Sequence, residues 1–158
     1  MAKFTQNNLI VPLTDQNGVD AADAVELDSF NMSKYGHATV VIMFAGTVTG
    51  DNVLTVERAT SDSGDSSDAT FHYRLASAVF GAANSDVLGA DTAAATLTLT
   101  AATYQNKMLV LELDGDETGG YNWITVDFDG TASAGNVTAL AILSEPRYAE
   151  AIMDTSLA

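Results

Sequence analysis

Apolar and polar side chains alternate with a period of two along most of the chain. Leu97 and Leu99 are interleaved with Thr96, Thr98 and Thr100. Ile124, Val126 and Phe128 alternate with Trp123, Thr125 and Asp127, and Phe71, Tyr73 and Leu75 with His72 and Arg74. Successive side chains of a strand point to opposite faces, so this period predicts strands with one buried face. Further strands are expected over residues 25–30, 37–47, 53–59, 107–113 and 136–143. Between them lie Gly50-Asp51-Asn52, residues 61–68, Asp114-Gly115-Asp116, Asp129-Gly130 and Ala134-Gly135-Asn136. Gly, Asn and Asp accept the backbone angles of tight reversals, so these clusters read as turns. Residues 81–94 form a longer interval and read as a surface loop with one helical turn. The spacing predicts an all-β, single-domain antiparallel β-sandwich of about eight strands, jelly-roll-like in first place and immunoglobulin-like in second.

Two strands break the alternation. Val40-Val41-Ile42-Met43-Phe44-Ala45 is apolar on both faces, and Ala139-Leu140-Ala141-Ile142-Leu143 is nearly so. A sheet with one wet face should alternate, so something must cover the second face. Either a loop does so or a neighbouring subunit does, and the subunit implies a homo-oligomer. The ends look extended. Leu9-Ile10-Val11-Pro12-Leu13 is strand-like, with a proline suited to an edge strand or an arm. Glu145-Pro146-Arg147-Tyr148 leaves the last strand at a proline. The chain therefore divides into an arm (1–18), the sandwich (19–145) and a tail (146–158). Apolar groups on such extended terminal arms either seek a partner or pack on their own domain.

Composition narrows the classes of function. At 158 residues one domain is expected, burying roughly 68–70 % of its unfolded surface, so a core needs no disulfide or metal. Six Lys and Arg against 21 Asp and Glu give a net charge of −15. Such a chain repels phosphate backbones and anionic membranes, so neither nucleic acid nor membrane is an expected partner. With no cysteine, thiol catalysis and thiolate zinc sites are excluded. The first residues carry no apolar signal segment, and the run 40–45 is too short to span a bilayer, so synthesis in the cytoplasm is expected.

Catalytic constellations are scarce. His37 and His72 are the two histidines, both at positions expected to be structural or solvent-facing. Neither a nucleophile elbow nor a glycine-rich phosphate cradle occurs. Asp62, Asp65 and Asp68 fall three apart, and Asp114, Asp116 and Glu117 share a turn. Such acidic loops can ligate Ca²⁺, though neither fits the EF-hand spacing, and a solvated acidic loop is the simpler reading. No cofactor is expected. Tyr121 and Trp123 share a strand face, the arrangement of a sugar platform but equally of a subunit contact.

The chain resembles small structural proteins of tailed bacteriophages, the head decoration (cement) and minor virion proteins. The likeness lies in residues 19–26, in the strand pair 38–48 and 54–59, in residues 61–74, and in Gly135 to Tyr148 with its Pro146-Arg147-Tyr148 close. It implies a jelly-roll-like sandwich that forms trimers on the capsid exterior, contacts the major capsid protein and catalyses nothing. Phe4, Leu9, Ile10, Val11, Arg147, Tyr148, Ile152 and Met153 would then clamp neighbouring capsid subunits, and removing residues 1–12 should leave a folded protein that no longer decorates. The rival readings are a carbohydrate-binding or adhesion module, and a tail or neck virion protein.

Overall fold

The structure, a computed structural model, describes residues 3–21, 24–46, 50–64, 66–130, 135–147 and 155–157. It is an antiparallel sandwich of two sheets, as the alternation predicts. The strands are β1 (Leu9–Pro12), β2 (Val19–Asp20), β3 (Val25–Glu26), β4 (Phe30–Asn31), β5 (Tyr35–Phe44), β6 (Asn52–Ala59) and β7 (Ser66–Asp68). After these come β8 (Phe71–Leu75), β9 (Thr92–Ala94), β10 (Thr96–Leu99), β11 (Met108–Asp114), β12 (Trp123–Gly130) and β13 (Asn136–Pro146). Two single-turn helices, α1 (Phe4–Asn7) and α2 (Ala101–Tyr104), complete the described elements.

The first sheet runs β1-β13-β5-β11-β8-β9, with β2 also on β13. The second runs β10-β6-β12-β3, with β4 on β12 and β7 on β6. The long strands β5, β6, β8, β10, β11, β12 and β13 alternate between the two sheets in chain order. That wrapping is why each strand needs a buried face of its own. Ala38, Val40, Ile42 and Phe44 of β5 point inward beside Leu109, Leu111 and Leu113 of β11. Leu54 and Val56 of β6 with Ile124, Val126 and Phe128 of β12 face them from the second sheet. Phe44 packs edge-on against Phe128, centroids 6.3 Å apart, and against Tyr104 at 6.0 Å. Burial pushes the Tyr104 hydroxyl up to about 12.

Several local expectations change. The strand expected over 25–30 is two short pieces, β3 and β4, which both pair with β12. The acidic stretch 61–68 ends in a strand, because β7 turns back onto β6 with Ser67 opposite Arg58. Asn52, expected in a turn, opens β6. It is 4 % exposed, and its Nδ2 donates to the Ala21 carbonyl at 2.8 Å. Residues 81–94 hold turns, an Ala76–Leu88 bridge and β9, and no helical turn. The sandwich also reaches further in both directions than the 19–145 division. Leu9 to Pro12 pair with Leu143 to Leu140, and Pro146 still pairs with Tyr35. Part of the tail returns as well, where Phe30 bridges Leu157 and the Asn31 N–H donates to the Ser156 carbonyl.

The outer face of the second sheet is wet and polar. One row across it reads Thr96, Thr55, Asp127 and Glu26. Burial, then Glu57, Glu26 and Asp129, hold the Asp127 carboxyl above its ordinary value. Its ionised form therefore weakens the fold. That cost is absent below the unfolded-state value and complete once the pH exceeds the raised folded value. Asp127→Asn is expected to stabilise by about 0.5 kcal/mol at pH 7, since like charges directly opposite oppose pairing. Thermal melts at pH 7 and pH 3 check this: an equal gain at both would rule out an electrostatic origin.

Candidate functional site

The outer face of the first sheet is different. Strand register arranges its outward side chains in rows. One row reads Pro12, Leu140, Val41, Val110 and Arg74 from β1 to β8. The next reads Ile10, Ile142, Thr39, Glu112 and His72. A third holds Thr138, Met43 and Met108, and a fourth Ser144, His37 and Asp114. The rows from β1 through β13 to Met43 carry no charge until β2, where Asp20 stands opposite Asn136, and the other charged side chains gather at the opposite corner. Ile10 is 49 % and Met43 38 % exposed. Ile10, Pro12, Val41, Met43, Met108, Val110, Leu140 and Ile142 all lie outside the hydrophobic core cluster. The doubly apolar strands are thus explained: β5 and β13 spend one face on the core and hold the other outward. At Met43, 38 % exposed, no described residue closes over it.

At the charged corner, His37, His72, Arg74, Asp91, Glu112, Asp114 and Glu117 line a cleft of about 160 Å³. His37 Nδ1 lies 2.7 Å from Asp114 Oδ1, and His72 Nδ1 2.8 Å from Asp91 Oδ2. His72 Nε2 is 3.7 Å from a Glu117 oxygen, and Arg74 Nε 3.9 Å from Asp91. The hydrogen bond to Asp91 raises the His72 imidazole above its ordinary value; desolvation opposes it, and the charges of Asp91, Glu117 and Asp114 add to the rise. The arrangement fixes carboxylates in place. The remaining lining groups are acids and one arginine, and Thr39 Oγ1 lies 3.3 Å from His37 Nε2 beside them.

The other expected sites are dispersed. Asp62 is exposed in a turn, Asp68 sits on β7 opposite Glu57, and Asp65 lies outside the described residues. Among the described residues no group of three or more His, Asp or Glu is placed to hold a metal ion. Tyr121 and Trp123 do not form one platform. The Arg58 guanidinium lies over the Tyr121 ring at 5.4 Å, and its Nη1 donates to the Glu117 carbonyl. Trp123 instead lines a separate open cleft of about 330 Å³ with Asn31, Ser33, Lys34, Thr155, Ser156 and Leu157.

The terminal residues separate likewise. Phe4 is 56 % exposed, on a helix that buries no residue. Leu9 is partly buried against the core, and Val11, 3 % exposed, belongs to it, so Val11 is closed to any partner while the sheet is intact. Arg147 is exposed just past β13, beside Gly115. Tyr148, Ile152 and Met153 lie outside the described residues.

Among solved structures, the SPBc2 prophage-derived protein YomS is similar over 87 % of this chain and 92 % of its own, with a TM-score of 0.53. Sequence identity is 12 %, so the likeness shows a shared fold and nothing finer. The PRD1 vertex protein aligns over 89 % of this chain and 96 % of that one, at 10 % identity and a TM-score of 0.30, too low to support an argument. No protein-family model matches the sequence, and a search of the curated proteins finds no match. Among the described residues no helix is long and apolar enough to cross a membrane, which does not bear on strands.

The sequence pointed to β5 and β13 as doubly apolar but could not show that their outward rows abut the two histidines. The signal was partly present. Outward positions of β8 and of the second half of β11 are His72, Arg74, Glu112 and Asp114, a charged series beside an uncharged one.

Proposed function

We propose that the protein is a non-enzymatic structural component of a phage particle, a decoration protein seated as trimers on the outside of the head, where it reinforces the major capsid protein. The observation that carries this reading is the apolar part of the first sheet's outer face, on β13 and β5, in a chain of net charge −15. Monomeric proteins rarely leave a broad apolar sheet face to water, whereas subunits of assemblies do so before they assemble. The fold likeness to a prophage-derived protein agrees with it. Phe4, Ile10 and Arg147, with Tyr148, Ile152 and Met153, are the terminal contacts in this reading. Burial of apolar surface, at ~25 cal/mol per Å² less the costs of association, would then tie neighbouring shell subunits together. The acids elsewhere keep the protein soluble.

Heads purified from a phage mutant lacking this gene provide the test. The purified protein should saturate them at a fixed number of copies per head in co-sedimentation, and sediment alone as a trimer. Absence of binding to such heads removes the decoration reading. A second reading, a carbohydrate-binding module, draws on the Trp123 cleft with its hydroxyl and amide neighbours. Glycan-array binding that is lost in Trp123→Ala would favour it.

A further inference from the structure

We propose that the apolar rows and the acidic corner of the first sheet together form one docking surface for a protein that presents an apolar patch beside Lys or Arg side chains. The proposal rests on the decoration reading, in which that partner is a shell subunit, and adds to it the face used and the chemistry it meets.

Two features of the face point to such a partner. The apolar half is continuous: Leu140 and Val41 are cross-strand neighbours, with Ile142 and Met43 one row away on either side, and Val110 beside Val41 is already covered at 6 % exposed. The corresponding face of the second sheet carries Thr55, Asp127 and Glu26 in the equivalent row, so the apolar character is not a general property of this sandwich. The charged half adjoins it without a gap, because Glu112 lies opposite Thr39 and Arg74 opposite Val110. An apolar centre with a polar margin is the anatomy of a protein interface.

The margin is also pre-organised. Asp91 is held by His72 and faces Arg74, and Asp114 is held by His37. Carboxylates already fixed lose less freedom when a cation arrives, which favours binding. The corner sets the four carboxylates Asp91, Glu112, Asp114 and Glu117 against one arginine and two histidines.

Charge decides between a foreign partner and a second copy. A copy brings 21 acids and only six cations, of which Arg58 is turned to the Glu117 carbonyl and the Tyr121 ring and Arg74 already belongs to the corner. Two such chains meeting at this margin set acid against acid, whereas a partner with Lys or Arg at the matching position is attracted and steered.

The test uses the full-length protein and gene-deleted heads, with affinity measured over a range of salt. Met43→Ser, at a half-open position, and Glu112→Lys, in the margin, are each expected to weaken binding about tenfold, equivalent to ~1.4 kcal/mol. Glu112→Lys should also flatten the salt dependence. Thr98→Lys, exposed on the second sheet, should change neither. Circular dichroism melts confirm that each variant is folded, and Met43→Ser carries the test if Glu112→Lys is not. Unchanged affinity in both variants overturns the proposal while leaving the decoration reading in place. Tighter binding by Glu112→Lys overturns the basic partner. A wild-type oligomer that Met43→Ser dissociates assigns the face to a second copy and overturns it as well. If the wild-type protein does not bind heads at all, the decoration reading falls and takes this proposal with it.

Discussion

Phe128→Ala should cost about 3–5 kcal/mol of folding stability, the range for removing a buried aromatic ring and leaving a cavity. Phe128 is 0 % exposed and stands on β12 directly across from Leu54 of β6 and Val25 of β3. Its ring meets Phe44 of the opposite sheet edge-on, and Phe44 meets Tyr104 in the same manner. Edge-to-face contacts of this kind add ~0.5–1.5 kcal/mol beyond burial, so the ring joins the two sheets as well as filling space. Phe128→Leu keeps most of the volume and should lose less than half as much. Phe4→Ala, on an exposed helix, should stay within about 0.5 kcal/mol of wild type. Denaturant titration at constant pH gives all three values. A loss below about 1 kcal/mol for Phe128→Ala, well under the usual range for a buried ring, would mean that the sheets do not meet there.

Truncation at the N-terminus should show a sharp boundary. Removing residues 1–7 deletes α1, which buries nothing, and should leave the melting temperature nearly unchanged. Removing residues 1–12 deletes β1, and the sandwich should lose about 2–4 kcal/mol, from the burial of Val11, the partial burial of Leu9 and the strand's ladder hydrogen bonds. Deletion also uncovers the inward Ala141 and Leu143, which are 0 % exposed beside β1. The corresponding drop is roughly 2–4 °C per kcal/mol for a chain of this size. The sequence reading places residues 1–18 in an arm, and residues 9–12 of that stretch pair with β13 as an edge strand. Loss of head binding after that deletion would report an opened sheet, so the arm is tested with the shorter truncation and with Ile10→Ser. Equal melting temperatures for the two truncations would contradict the strand assignment of residues 9–12.

The sandwich was legible because period-two alternation is a direct image of a half-buried strand. Residues 71–75, 96–99 and 123–130 show it cleanly, and all are strands. What escaped were elements whose pattern is too short to alternate. Residues 66–68 are Ser, Ser and Asp, a turn by composition, yet the hairpin geometry of β6 folds them into a ladder. Leu9-Ile10-Val11-Pro12 reads equally as an arm and an edge strand. Only the partner strand, far along the chain at residues 140–143, decides between them. Asn52 shows the same limit at one residue: its side chain satisfies the distant carbonyl of Ala21, an interaction no local pattern announces. The candidate interface was half visible. The doubly apolar runs marked β5 and β13, but which charged residues sit beside them depends on register, which the sequence alone does not specify.

The position of β13 between β5 and β1 has a consequence for how the chain is made. Leu9 leaves the ribosome well before its ladder partner Leu143, with most of the sandwich made between them. Until β13 emerges, the first sheet has a missing central strand, and both β5 and β1 present unpaired backbone to the surroundings. Open apolar edges are the places where nascent chains join to each other. Pairing across such a separation is also slow, because the loop must close before any contact rewards it. The excess of acids is then useful before folding ends. Mutual repulsion keeps incomplete chains apart during the interval in which the sheet waits for its last long strand.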